Sequence, residues 1–369
     1  MWRYRNPVAV RFGWNALEAL PDILGARDAV VVTFPESRES GLEARLRGLL
    51  GARLRDVVCD VEPNPEVSWF RARYEAFWKR HAGCVIIAVG GGSAIDTAKL
   101  LQVATPEGSF DALFDALAAG RQPEVARAFA LIAVPTTAGT GSEVTPWATL
   151  WDRSSEAPKK YSLHVEETWP EAALVDPSLT LSAPMAVTRN SALDALSHSL
   201  ESIWNVNSNP VSDALAVEAG RTVIATLPGL LADPSDGALR TAMSRASLMA
   251  GLAFSNTRTA LAHSISYEMT LRHGLPHGLA CSFTLPLVWK LAVGADASRD
   301  AVLARVFGSE VSQPWTRLTT FLHAVGVKTA FSEYGVDAMQ ARGMIESALG
   351  GARGRNFVNP APRLDESIA

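Results

Sequence analysis

In residues 28–34, DAVVVTF, a β-branched apolar run follows a glycine-containing turn, and in 40–51, SGLEARLRGLLG, leucines return at helical spacing. The step then repeats. RDVVCDVEPNP opens a strand that stops at its prolines, and VSWFRARYEAFWKRHAG reads as a helix. CVIIAVGGGSAIDTAKLLQVAT reads as strand, glycine turn and helix, and AFALIAVPTT as a further strand. This alternation predicts a parallel sheet covered by helices, with ligands at the carboxyl ends of the strands. Beyond about residue 181 the pattern changes. LSAPMAVTRNSALDALSHSLESIW, NPVSDALAVEAGRTVIATLPGLL, GALRTAMSRASLMAGLAF and DASRDAVLARVFG are Ala-rich with apolar residues three to four apart, so the second half is predicted all-helical. The prolines of EAALVDPSLTLSAP set a boundary near Asp176-Pro177, dividing 1–178 from 179–369. The Gly/Pro/charge-rich tail after Gly350 predicts a poorly ordered, surface-draped end.

A chain of 369 residues with 48% hydrophobic content can bury a large core, and its length suggests two domains. Its formal net charge of −4 provides no basic face for nucleic acid or an anionic membrane, which favours a small-molecule protein. Only Cys59, Cys84 and Cys281 occur, with no C-x2-C pair, so neither a disulfide framework nor a thiolate zinc site is expected, and a reducing compartment fits. MWRYRNPVAVRFG lacks a following apolar core, and no stretch reaches the roughly 18 continuous apolar residues that span a bilayer. A cytoplasmic location is expected.

Chemistry enters with four residues. Asp194 and His198, a D-x3-H pair in TRNSALDALSHSLE, project from one face of a helix, one turn apart. His263 and His277 follow in LAHSISYEMTLRHGLPHG, the second delivered by a turn after the helix that carries the first. One carboxylate and three imidazoles suit Fe(II), Zn(II) or another first-row metal and leave room for a substrate oxygen. In Gly90-Gly91-Gly92-Ser93 the glycines let backbone amides approach a phosphate, and a helix N-terminus follows; a plain strand-to-helix turn reads equally well. The next strand leads into Thr136-Thr137-Ala138-Gly139-Thr140-Gly141-Ser142-Glu143, either a hydrogen-bonding loop for phosphate and ribose or a Thr/Ser-capped turn.

Taken together and in order, GGGSAIDTAK, VPTTAGTGSEVT, the D-x3-H segment and the final two histidines with PHG resemble the iron-dependent, or group III, alcohol dehydrogenases, from about residue 5 to 310. The resemblance implies a Rossmann-like α/β dinucleotide-binding domain, an all-α metal-binding domain in a dehydroquinate synthase-like fold, and a catalytic cleft between them. It implies NAD(P)H, Fe(II) or in some members Zn(II), a small aldehyde or alcohol as substrate, and homodimers as a common state. Asp194, His198, His263 and His277 match the family's metal ligands. Gly91, Gly92 and Ser93 match its diphosphate loop, and Thr136, Thr137, Thr140 and Ser142 the loop around the phosphates and nicotinamide. Lys160 matches a lysine at the nicotinamide-side ribose, and Asp96 a carboxylate near nicotinamide and substrate; a first-turn acid facing the helix dipole explains Asp96 equally well.

Two departures bear on specificity. Tyr267 stands where many members carry a further, proton-relaying histidine, and His273 is the alternative relay. Phe34 stands where NAD-selective relatives place an Asp, so NADP(H) is slightly favoured, with Ser37 or Arg38 contacting the extra phosphate. The segment SNTRTALAHSISYEMTLRHGLPHG also resembles the phosphonoacetaldehyde reductases, which implies Arg258 and Arg272 as anion-recognising residues for a phosphonate. Other readings are a generic primary-alcohol or glycerol dehydrogenase, a dehydroquinate synthase-like lyase, and a non-catalytic nucleotide- or metal-binding module.

Overall fold

The computed structural model describes residues 1–153, 158–308 and 313–364. The chain divides into two compact units. The α/β unit comprises Asn6–Thr137 and Ser142–Ala183; the helical unit comprises Met1–Arg5, Ala138–Gly141 and the chain from Pro184 onward. Asp176, at the sequence-derived boundary, accepts the backbone amides of Asn15, Leu17 and Ser178, so this stretch is pinned within the α/β unit.

The α/β unit contains β1 (Ala9–Phe12), α1 (Leu20–Leu24), β2 (Ala29–Val32), α2 (Leu42–Leu50), β3 (Leu54–Val58), α3 (Val67–His81), β4 (Val85–Gly90), α4 (Gly92–Gln102), β5 (Val103–Ala104), α5 (Phe110–Ala118), β6 (Ala126–Arg127), β7 (Leu131–Pro135), β8 (Trp147–Asp152), β9 (Lys159–His164) and β10 (Ala172–Val175). Six strands form a parallel sheet in the order β1-β10-β7-β4-β2-β3. The apolar runs of β2, β4 and β7 are buried on both faces because alternate residues enter different cores: Val30, Val32, Ile86 and Ala88 pack on one side, and Val31, Val85, Ile87 and Val89 on the other. From β2 the chain moves outward to β3, then crosses back to β4 and continues the other way. The strand order therefore reverses between β2 and β4, and open α/β sheets bind ligands beyond the carboxyl ends of strands at such a point. The glycine turn follows β4 and Phe34-Pro35 follows β2.

The antiparallel hairpin β8–β9 does not appear in the sequence-derived succession. Its strands carry partly exposed positions and lack the continuous apolar run that marks the parallel strands.

The helical unit contains α6 (Met185–Ile203), α7 (Pro210–Ala232), α8 (Gly237–Thr257), α9 (Leu261–His273), α10 (His277–Ser282), α11 (Leu285–Ala292), α12 (Ala297–Phe307), α13 (Pro314–Ala324) and α14 (Ala338–Gly350) around one core. By length and composition α7 could cross a membrane, but it packs against α6 and α8 and places Ala216, Val223 and Leu227 in that core. The segment after Gly350 departs from the expected loose tail. Phe357 is 1% exposed, and the Val358 amide donates to the carbonyl of Trp204, so an apolar anchor docks the described part of the tail.

Candidate metal centre

On α6, Asp194, His198 and Glu201 stand at successive turns of one helix face, all buried. His263 comes from the first turn of α9, and His277 opens α10. Gly278 sets the last of these, because a Cβ there would lie 1.9 Å from the Asn190 carbonyl oxygen; only glycine lets α10 approach α6 so closely.

Asp194 Oδ1 lies 3.3 Å from His263 Nε2 and 3.7 Å from His198 Nε2. The His198 and His263 rings stack 4.7 Å apart, and His277 meets His263 edge-on. Asp194, His263, His277 and Cys281 each offer a donor atom within 4.8 Å of the others. Asp194 Oδ1 and His263 Nε2 are buried without a hydrogen-bond partner, a costly state that a cation between them would relieve. Bonds of about 2.0–2.2 Å at a tetrahedral angle separate nitrogen and oxygen donors by about 3.4 Å, so these spacings fit a divalent metal.

The far ring nitrogens are fixed in turn. His263 Nδ1–H donates to Glu201 Oε2 at 2.6 Å, and the same carboxylate accepts the amides of Ala260 and His263. His198 Nδ1–H donates to the Gly139 carbonyl at 3.2 Å, and a Cβ on Gly139 would lie 2.3 Å from Ser191 O. Both bonds place the Nδ1 proton on the side away from Asp194 and leave Nε2 facing that carboxylate. Burial lowers the His198 pKa to about 4 against the pull of Asp194, so the ring is neutral at pH 7. Burial works against the Asp194 charge, but the neighbouring imidazoles of His198, His277 and His263 hold its pKa well below the usual carboxylate range.

Sequence reasoning missed two members of this cluster. Glu201 continues the Asp194–His198 face by one turn, and Cys281 stands one turn after His277, an H-x3-C spacing equivalent to D-x3-H. A single thiol among imidazoles carries none of the spacing signal of paired cysteines.

Tyr267 lies one turn beyond His263, with the Arg353 guanidinium 4.8 Å above its ring. His273 is half-buried at the end of α9. Arg272 is not brought to the cluster: its side chain is exposed and pairs with Glu268 at 2.6 Å. Arg258 caps α8 at φ 70°, its carbonyl accepting from Asn205. Arg353, which also donates to Thr259 at 2.9 Å, is a cation beside Tyr267 that sequence reasoning did not single out.

In the α/β unit, Gly90 at φ 159° has no room for a Cβ, which would lie 2.6 Å from that of Ala94 and 3.3 Å from the Phe34 ring. Gly91 caps α4, Gly92 begins it, and Ser93 Oγ accepts the Asn64 amide. Thr136 donates its amide to Gly90 O, tying the two loops together. Asp96 is already engaged, accepting from Ser142 Oγ at 2.6 Å and the Thr149 amide at 2.9 Å. Ser142 also accepts from Lys99, whose buried ammonium donates to Ser142 O and Trp147 O, so these residues brace the loop from within. Thr137 is half-buried beside Gly91, and Thr140 lies in the stretch that groups with the helices. Lys160 sits 5.1 Å over the Trp151 ring. Ser37 is fully buried, and Arg38 pairs with Glu43 at 3.0 Å, which reduces the availability of both for a 2′-phosphate.

Residues 7–177 match the family model for iron-containing alcohol dehydrogenase, and residues 188–369 match the model for the C-terminal region of the Fe-containing alcohol dehydrogenase family. The chain is 31% identical to a 1,3-propanediol dehydrogenase of Citrobacter freundii, over 100% of this chain and 97% of that one. It is 32% identical to long-chain-alcohol dehydrogenase 1 of Geobacillus thermodenitrificans, over 93% and 89%. The crystal structure of sulfoacetaldehyde reductase from Bifidobacterium kashiwanohense in complex with NAD+ superposes with a TM-score of 0.88 at 30% identity, covering 100% of this chain and 96% of that one.

Proposed function

The chain belongs to the iron-containing alcohol dehydrogenase family, and from that premise we propose that it uses NADH to reduce a small aldehyde bearing an anionic group, such as a phosphonate or sulfonate. The observation that carries the metal reading is the pair of orphaned buried donors, Asp194 Oδ1 and His263 Nε2, 3.3 Å apart. Asp194, His198, His263 and His277 hold the cation, Fe(II) or Zn(II). When bound, such an ion supplies Lewis acidity toward a carbonyl oxygen. Glu201 and the Gly139 carbonyl keep the imidazoles in the binding tautomer. Gly91, Gly92, Ser93 and the N-terminus of α4 receive the diphosphate, with Thr136 and Thr137 beside it. His273 or Tyr267 relays the proton that the product oxygen takes up.

Arg353 supports the anionic substrate: it is the cation that Tyr267 holds one turn from His263. The sulfoacetaldehyde reductase relative points the same way. NADH is proposed over NADPH because Ser37 is buried and Arg38 is engaged by Glu43, a carboxylate it shares with Arg47. The three free cysteines fit a reducing cytoplasm.

The test is anaerobic loading with Fe(II) or Zn(II), then a panel of phosphonoacetaldehyde, sulfoacetaldehyde and uncharged aldehydes of similar size with each nicotinamide. Anionic aldehydes should give kcat/KM at least about tenfold higher, the scale of one charge-assisted hydrogen bond, and R353Q should remove that advantage through KM. Equal efficiency with the uncharged aldehydes would remove the anionic substrate, and a preference for NADPH would remove the cofactor assignment.

A further inference from the structure

Cys281 lies on α10 one turn after His277, fully buried, on the face that His277 presents to Asp194 and His263. Its Sγ is 3.6 Å from His277 Nδ1 and 3.7 Å from Nε2. A metal–sulfur bond of about 2.3 Å and a metal–nitrogen bond of about 2.05 Å, meeting at a tetrahedral angle, separate the two donors by about 3.6 Å. The thiol is therefore placed at the spacing of a ligand. A buried cysteine ordinarily packs as a small apolar group, and Cys84 illustrates this, leading into β4 outside any such donor group among the described residues. Cys281 instead shares its surroundings with two polar atoms, Asp194 Oδ1 and His263 Nε2, that are buried and unpartnered.

We infer that Cys281 is a thiolate ligand of the metal in this chain, making the centre a mixed nitrogen, oxygen and sulfur site. The inference rests on the metal reading of Asp194, His198, His263 and His277 and adds a fifth donor to it. Ligation forms a metal–sulfur bond and breaks the S–H bond, releasing the proton to solvent, with no change of oxidation state. A soft thiolate among imidazoles shifts preference toward Zn(II) and Co(II) relative to an all nitrogen and oxygen set. The same protein should thus hold zinc more tightly than its carboxylate and histidines alone allow.

The test loads the metal-free, full-length chain with Co(II) under anaerobic conditions and records its absorption. Visible d–d bands together with a near-ultraviolet sulfur-to-cobalt charge-transfer band are expected. C281S should lose the near-ultraviolet band while C84S keeps it. Zinc affinity, measured by competition with a chromophoric chelator, should fall at least about tenfold in C281S, no less than the loss of an outer-shell partner. X-ray absorption of the zinc-loaded, unsubstituted chain gives a readout independent of any variant's folding: a sulfur scatterer at about 2.3 Å is expected. Visible bands without charge transfer, the same in C281S, or a zinc shell of nitrogen and oxygen only, would overturn the role of Cys281 and leave the metal reading standing. Absence of any cobalt-dependent absorption would overturn both.

Discussion

Glu201 does for His263 what the Gly139 carbonyl does for His198: it accepts the Nδ1–H hydrogen bond and leaves Nε2 facing Asp194. Its two oxygens accept three N–H groups in a dry interior, so E201Q keeps the volume but turns an amide donor against a donor. Metal affinity should fall by about 10–100-fold. The metal-free protein should lose about 1–3 kcal/mol, the cost of an unsatisfied buried group. Competition titration with a chelator and urea unfolding measure the two effects, and an unchanged affinity would show that Glu201 does not orient His263. Much of this cluster was legible in the residues. D-x3-H announced Asp194 and His198, and the same spacing rule, carried one turn further, finds Glu201 and Cys281. Arg272 shows the opposite case: Glu268, one turn before it, was a visible partner that kept the cation on the surface. Arg353 lay beyond reach because only the docking of the tail brings it to Tyr267.

Among the elements, α10 depends on a single hydrogen atom where other residues carry a side chain. G278A would drive a methyl to within 1.9 Å of the Asn190 carbonyl oxygen, a backbone atom that cannot swing away, so α10 must separate from α6. Overpacking of this kind costs about 1–3 kcal/mol, and it moves His277 away from Asp194 as well. Both a lower melting temperature and lost metal binding are expected. G343A is the control: it sits mid-helix in α14 with open space around it, and alanine there should be neutral or stabilising by up to about 1 kcal/mol. Equal behaviour of the two variants would show that α10 tolerates a shift. The parallel strands were readable because burial on both faces makes them continuous apolar runs. The β8–β9 hairpin was not, because its partly exposed strands lack such a run, and neither was the anchoring of Phe357, which depends on Asn205, distant in sequence.

At the scale of the whole molecule, the division into α/β and helical parts follows from the change of hydrophobic period. The membership of individual segments does not: Met1–Arg5 and Ala138–Gly141 belong with the helices because Tyr4 bonds Leu252 O and Gly139 rests on Ser191. What no period reveals is the pair of charges buried in the α/β unit. Lys99 and Glu143 are 0% and 2% exposed. Burial lowers the lysine from 10.5 to about 8 and raises the carboxyl from 4.5 to about 7. Between pH 4.5 and about 7 the native Glu143 therefore holds a proton that the unfolded chain has released, so stability from this residue is complete below 4.5 and is lost as pH rises through 7. Between about 8 and 10.5 the unfolded Lys99 holds the extra proton, so stability from this residue rises with pH. Their joint contribution is lowest between about pH 7 and 8, where both groups carry buried charge. A displacement from 4.5 to about 7 corresponds to about 3 kcal/mol. E143Q cannot ionise, so the unfolding free energy of wild type minus that of E143Q should decline by up to about this amount between pH 4.5 and 8, as read from urea denaturation across that range. Parallel profiles for the two proteins would mean that Glu143 ionises as readily in the native state as in the unfolded chain, its buried charge fully compensated by the Lys99 ammonium beside it.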